Sequence, residues 1–259
     1  METNHQAISL KSDTGNQSFR RMEKYQVHQL DVRYCFFPLL LGIVGYLTAC
    51  SSFAPDEQIS MENSMGKVTS LPQPQIEGLM SLEEALTLRR SVREFSSEVL
   101  SSGEISQLLW AAQGITDPRG YRSAPSAGAL YPLELFVVMA EGVFNYDPYA
   151  NTLSLIVEGD LRRDLYLVAL SQDSILQAPL TMVFTAVYDR TEARYGPART
   201  PRYIQMEVGH AAQNVLLQAV SLGLGAVPIG AFEDDRVHAV LDLPPDHEPL
   251  YLIPIGHPR

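Results

Sequence analysis

The chain has 259 residues, 46% hydrophobic and 19% charged, enough for one sizeable globular core. Its formal charge is −11, and beyond Cys50 it carries fourteen basic against twenty-six acidic groups, which argues against a nucleic-acid partner needing a basic face. Lysine occurs only at Lys11, Lys24 and Lys67 and cysteine only at Cys35 and Cys50. Past these positions the chain has no Schiff-base or Walker-type lysine, no thiol nucleophile, no disulfide and no cysteine metal site.

In chain order, the first element reads as an address. Arg33 precedes an apolar run from Cys35 to Leu47, followed by Thr48, Ala49 and Cys50. That run falls short of the roughly 20 residues of a spanning helix and suits the apolar region of a secretory signal. The tail Leu47-Thr48-Ala49-Cys50 resembles the lipobox of bacterial lipoproteins. The likeness implies a lipidated Cys50 and a domain held at a membrane of the cell envelope, on the extracytoplasmic side. A core helix that ends in cysteine is the bland alternative, and a start at Met22 would give a signal of ordinary length. Residues 1–50 are thus an extension with a signal, residues 51–78, polar and Pro-dotted, a flexible tether, and residues 79–259 the folded domain.

Ser81–Glu84 and Ser101–Glu104 both fit the capping box, opening helices through about Arg90 and about Gln113, the second stopped by Gly114. Residues 133–140 read as a buried strand. "GVFNYD" and "TLSLIVE" form a hairpin around Pro148 and Asn151. Residues 160–177 look helical, 179–188 a central strand, and 201–225 a long helix with Pro201 in its first turn. Two strands, "AVPIGAF" and "EPLYLIPIG", enclose a short helix over 233–241. This order makes the fold class α+β, or mixed α/β, in one domain.

Four stretches carry chemistry. "RRSVREF" places Arg89, Arg90, Ser91 and Arg93 after the first helix, where arginines either complement the macrodipole or hold an anion. "SAPSAGALYP" (123–132) is a loop of small residues that lets backbone and a flat ligand approach closely. Ser126 there also invites a serine-hydrolase reading, but the G-x-S-x-G elbow is broken by Ala124. "GLGAVPIGAF" (223–232) brings Pro228, Ile229, Gly230 and Ala231 to a strand end, where open sheets bind ligands. "IGHPR" closes the chain with His257 and Arg259, a second phosphate clasp or a solvated terminus. On the long helix, His210 and Gln213 read as core packing.

Together, "RRSVREF", "PSAGALYPLE", "EVGHAAQNVLLQAVSLGLGAVPIGAF" and "IGHPR" resemble the flavin-dependent nitroreductase family, and more closely its SagB/ThcOx-type dehydrogenase branch, which includes azoline oxidases of thiazole/oxazole peptide biosynthesis. The resemblance spans residues 79–259. It implies a central, mainly antiparallel sheet flanked by helices, FMN as cofactor, NAD(P)H as a candidate reductant, and an intertwined homodimer. A small-molecule or peptide substrate would stack on the flavin. Carried over by residue, the flanking Arg90 lies within the motif, Arg89 and Ser91 meet the phosphate and ribityl chain, and Arg93 sits by the ring edge that turns negative on reduction. Pro125, Ser126, Ala127, Gly128 and Ala129 of the partner subunit's copy would cover the ring. Gly230, flanked by Pro228, Ile229 and Ala231, would aim its N–H at the hydride-accepting nitrogen, and His257 and Arg259 would complete the phosphate grip.

The azoline oxidases use a Lys-Tyr pair in a stretch like "RYGPARTPRY" (194–203). Here Arg194 stands in the lysine's place and stays charged, so Tyr195 is the candidate catalytic acid or base, or an aromatic wall. Arg194, Arg199 and Arg202 would make the pocket electropositive, suiting an anionic substrate or a nicotinamide dinucleotide. A module that binds a partner without catalysis, with or without flavin, is the rival of a different class.

Overall fold

The structure is a computed structural model that describes residues 68–259. The signal and lipidation reading at Cys50 and the first part of the tether lie outside the described residues. The rest of the tether reading is corrected, because residues 68–78 are tied to the domain. Strand β1 (Val68–Ser70) pairs antiparallel with β4 (Thr152–Glu158). The Ser106 hydroxyl then donates to the Pro72 carbonyl at 2.6 Å, and the Gln107 side chain both accepts from and donates to the Gln75 backbone, at 2.8 and 3.0 Å. The anchors are backbone polar groups meeting buried amide side chains, which leave no apolar period to read.

The other strands are β2 (Leu133–Met139), β3 (Gly142–Asp147), β5 (Leu180–Ala186), β6 (Gly225–Ala226) and β7 (Glu248–Gly256). They complete a seven-stranded sheet in the order β1-β4-β3-β2-β5-β7-β6, each neighbouring pair antiparallel. The hairpin between β3 and β4 turns as expected: Asp147 Oδ1 accepts from the N–H groups of Tyr149 and Ala150, and Asn151 takes a left-handed φ of 51°.

Helices cover both faces. On one, α2 (Ser102–Gln113) and α6 (Thr200–Ser221) bury Leu108, Leu109, Ile204, Ala211 and Val215 against Leu135, Val137, Met182 and Phe184. On the other, α3 (Arg162–Val168), α4 (Asp173–Gln177) and α7 (Asp234–Val240) cover Phe136, Val138 and Val183. Central β5 is buried along its whole length, so it reads as a continuous apolar run rather than an alternation. Helix α1 (Leu82–Leu88) packs beside α6, and α5 (Tyr188–Tyr195) precedes it.

Several expected bounds shift. The 160–177 helix is two helices, broken where Leu170 and Ser171 adopt φ of 57° and 54°. The strand expected over "AVPIGAF" shortens to Gly225–Ala226 plus a single bridge from Ile229 to Leu252. His210 and Gln213 are exposed, not in the core, because the buried stripe Ile204–Val208–Ala211–Val215 of α6 faces the opposite way.

Candidate functional site

The arginine stretch is not part of a helix. Helix α1 stops at Leu88, its C-cap Arg89 is extended (φ −54°, ψ 123°), and no basic residue lies in its last turn. The end of α1 therefore accounts only for Arg90, whose side chain caps the Thr87 carbonyl, and not for Arg93. Instead the segment threads between two others. The Val92 N–H donates to Ala226 O at 3.0 Å, the Ser96 N–H to His257 O at 2.9 Å, and the Arg259 N–H to Glu94 O at 3.2 Å. Phe95, 1% exposed, is the apolar pin of this seam. Gly225 is required by close approach, since a Cβ there would sit 2.6 Å from Val92 Cγ1. Three of the four motifs thus meet along one seam.

The side chains on that seam divide by partner. Arg89 is half-buried and Ser91, Arg93 and Arg259 are exposed; none of these guanidiniums has a carboxylate within 4.0 Å among the described residues. Arg90 differs, spending Nη1 on the carbonyls of Thr87 and Arg89 at 2.9 and 2.7 Å. His257 Nε2 faces Glu98 and Glu104 at 3.9 and 3.8 Å, beside the complete capping box of Ser101 and Glu104. His257 therefore lies beside two carboxylates, unlike Arg89, Arg93 and Arg259. Below them, Ile229 exchanges backbone hydrogen bonds with Leu252 at 2.8 and 3.0 Å, Pro228 is half-buried, and Gly230 and Ala231 stand exposed at the strand end. A Cβ on Gly230 would meet only Tyr251 Cε2 at 3.8 Å, so its backbone edge is open.

The fourth motif lies elsewhere in the chain. Around the turn Ala127–Ala129, Gly128, Ala129 and Tyr131 have φ of 64°, 53° and 47°. Left-handed alanine and tyrosine are strained, each by about 1 kcal/mol, and such strain gathers at functional loops. Several contacts hold them there. The Tyr131 N–H donates to Ser126 Oγ at 2.9 Å, the Arg190 guanidinium donates to Tyr131 O at 3.1 Å and pairs with Glu134 at 2.6 Å, and Asn214 Nδ2 donates to Ser123 O at 3.3 Å. Pro125, Gly128 and Ala129 are exposed and Ala127 half-buried. Tyr195, half-buried and packed edge-on to Tyr203 at 4.8 Å, stands next to this loop. A Cβ on Gly128 would lie 3.0 Å from Tyr195 Oη and 3.1 Å from Arg194 Nη1.

Beneath the loop is a buried polar cluster that the motifs did not reveal. Glu207 is 3% exposed, and burial pushes its carboxyl up to about 7 while the Ser126 hydroxyl and the Arg122 guanidinium pull it back. Its Oε1, together with Arg122 Nε, Gln113 Nε2 and Ser123 Oγ, has no hydrogen-bond partner. The available signal was a carboxylate on the apolar stripe of α6, between Ile204 and Ala211. Among the described residues, Ser126 accepts from the Tyr131 N–H and bonds no histidine, so the serine–histidine pair of a hydrolase triad is not formed there.

The loop rests on the middle turns of α6, and the seam lies past the helix's C-terminal end. The loop attaches through Ser123 to Asn214 and lies over Glu207, whereas the arginine seam lies beyond the helix, at Ala226. Among the described residues, no group of three or more His, Cys, Asp or Glu is placed to hold a metal, and no helix is long and apolar enough to cross a membrane.

The chain belongs to the nitroreductase family, which residues 86–257 match. It is 43% identical over 198 residues, 74% of this chain and 98% of the other, to a Methanocaldococcus jannaschii protein that carries the nitroreductase name. It is 26% identical over 191 residues to the FMN reductase [NAD(P)H] of Bacillus subtilis, a match covering 68% of this chain and 65% of that protein. A solved nitroreductase-type structure from Ralstonia eutropha superposes with a TM-score of 0.68 at 33% identity, covering 74% of this chain and 90% of that one. Family and fold make the protein an oxidoreductase with a nitroreductase-like fold.

Proposed function

We propose that the protein is an FMN-dependent oxidoreductase of the SagB/ThcOx-like dehydrogenase kind, moving hydride between an organic substrate or NAD(P)H and an acceptor. The observation that carries this reading is the backbone seam that gathers Arg89, Ser91, Arg93 and Arg259 on one rim, without competing carboxylates, in an otherwise acidic chain. These donors fit the group: guanidiniums for a phosphate, a hydroxyl for the ribityl chain, and the open backbone edge of Gly230 for a ring nitrogen. When bound, FMN supplies a centre that takes and returns electrons in pairs as hydride.

The residues divide the labour. Arg89 and Arg259 hold the phosphate. Arg93 keeps a permanent positive charge at the ring edge, which favours the reduced state. Pro125 to Ala129, stiffened by the Ser126–Tyr131 bond, exclude water from the ring face. Tyr195, against Gly128, is the candidate to pass a proton to or from the stacked substrate. A homodimer is part of the reading. The rim lies past the C-terminal end of α6, whereas the covering loop rests on its middle turns and against Tyr195, so the two are separate features of one chain. Leu79 and Leu82 are left exposed at 109% and 61% on a groove of about 890 Å³ that Trp110 and Leu217 also line. A second copy fills that groove and brings its loop to the first copy's rim.

Anaerobic titration of the purified full-length chain with NADH, NADPH and a thiazoline peptide tests the function. Bleaching of a bound flavin by any donor supports an oxidoreductase, and bleaching by the thiazoline peptide supports the dehydrogenase branch. A flavin that no donor bleaches favours a binding module. The envelope placement through a lipidated Cys50 belongs to the same proposal. Its check is the mass of the mature N-terminus, which must carry the diacylglyceryl group on Cys50.

A further inference from the structure

The described arginines outside the nucleotide rim fall into distinct environments. Arg119, Arg162, Arg190 and Arg236 each pair with a carboxylate, and Arg122 bonds Gln113 and lies over the Tyr131 ring. Arg163, Arg194, Arg199 and Arg202 are exposed and have no carboxylate within 4.0 Å among the described residues; Arg163 stands apart on α3, and Arg194 lies over the ring of its neighbour Tyr195 at 5.7 Å. The acidic residues of α5, Asp189 and Glu192, form no ion pair with them.

Arg194, Arg199 and Arg202 share one corner. Arg199 is the N-cap of α6, where the Thr200 N–H bonds Gly196 O and Pro201 has no N–H, and Arg199 and Arg202 flank Ala198 at a surface recess of about 400 Å³. The edge-on contact of Tyr195 with Tyr203 ties the end of α5 to the first turn of α6. Arg194 and Tyr195 in turn abut Gly128 of the covering loop. The corner therefore opens at the edge of the surface assigned above to the ring face. Three uncompensated guanidiniums repel one another, and in a chain of net charge −11 carboxylates to neutralise them are plentiful. Their absence here is what a site that recruits its anion from outside requires.

Resting on the flavin reading above, we propose that Arg194, Arg199 and Arg202 form an oxyanion subsite that selects a substrate bearing a phosphate or carboxylate and orients it at the mouth of the flavin site. Arg194 forecloses the lysine base of the azoline oxidases and supplies fixed charge instead, while Tyr195 keeps a proton-bearing group beside the loop.

Inorganic pyrophosphate is titrated calorimetrically into the full-length protein and into R199A/R202A, both saturated with FMN so that the rim's own phosphate position is filled. The expected result is measurable binding by the parent, weakened about tenfold in the double variant, the size set by losing two solvated guanidiniums together, and largely restored in R199K/R202K. A second arm compares NADPH with uncharged N-benzyl-dihydronicotinamide as reductants, and nitrobenzoate with nitrobenzene as acceptors. A fall in the NADPH ratio assigns the subsite to a dinucleotide phosphate, and a fall in the nitrobenzoate ratio assigns it to a carboxylate. Absent or equal pyrophosphate binding by parent and variant, or both ratios unchanged, overturns the subsite. Failure of the flavin reading is distinct: the protein stays colourless with excess FMN, and the pyrophosphate comparison still decides the subsite.

Discussion

Replacing Glu207 with glutamine probes the buried cluster under the covering loop. The carboxyl titrates at about 7 in the folded chain against 4.5 unperturbed, with burial as the main cause. A folded value raised above the unfolded one means the native state binds the extra proton. That contribution to stability is complete below the unfolded titration and is lost as pH rises through the folded one. The gap corresponds to about 3 kcal/mol, of which about 2.5 kcal/mol disappears between about pH 5 and pH 8. Glutamine keeps the shape and cannot ionise, so E207Q lacks this loss and is more stable than the parent at the alkaline end by a similar amount. Urea unfolding at both pH values, at constant flavin saturation, gives the comparison. Equal pH dependence in parent and E207Q would refute the reasoning, and would mean that the carboxyl is solvated or fully paired.

Other perturbations follow from the seam and the loop. Phe95→Ala removes the buried pin between the arginine segment and the chain's end, so stability measured by denaturant falls by about 3–4 kcal/mol, and retained FMN falls with it. Gly128→Val places a β-branched residue at φ 64° against Tyr195 and Arg194; loop strain of about 1–2 kcal/mol appears as slower flavin reduction, read by stopped-flow, with FMN affinity little changed. Arg93→Ala lowers the midpoint potential of the bound flavin in a redox titration while the far-ultraviolet dichroism stays that of the parent. An unchanged potential in a flavin-loaded variant would count against Arg93 as the ring-edge charge.

The motifs were legible because each needs a residue type that only one geometry tolerates. The small-residue loop is readable as a close approach, and at Gly128 a Cβ would meet Tyr195 and Arg194. The capping box at Ser101 and Glu104 is complete, whereas at Ser81 only the serine half forms, its side chain accepting from the Glu84 N–H. The two-faced sheet class followed from the alternation of helical and strand patterns. What escaped reading lacked a local signal. The break after Val168 uses left-handed Leu170 and Ser171, residues that seldom mark a turn. Helix α5 is short and polar beyond Tyr188, the last residue of the strand expected over 179–188, so it has no apolar period to read. Strand β1 is held by Gln107 and Asn151 from distant parts of the chain. At the site, the seating of the 125–129 loop on α6, over Glu207 and beside Asn214, comes from contacts far apart in sequence. The partnering of His257 with Glu98 and Glu104 depends on tertiary proximity that no motif encodes.

The account stands on guanidiniums brought together by the seam to grip a flavin nucleotide, and affinity for FMN tests that most directly. Quenching of FMN fluorescence is titrated with the full-length chain and with the Arg89→Ala, Arg259→Ala double variant. The prediction is saturable binding at one flavin per chain, weakened about a hundredfold by loss of two charge-assisted phosphate contacts. A folded parent that leaves FMN fluorescence untouched, or a double variant that binds as tightly as the parent, contradicts it.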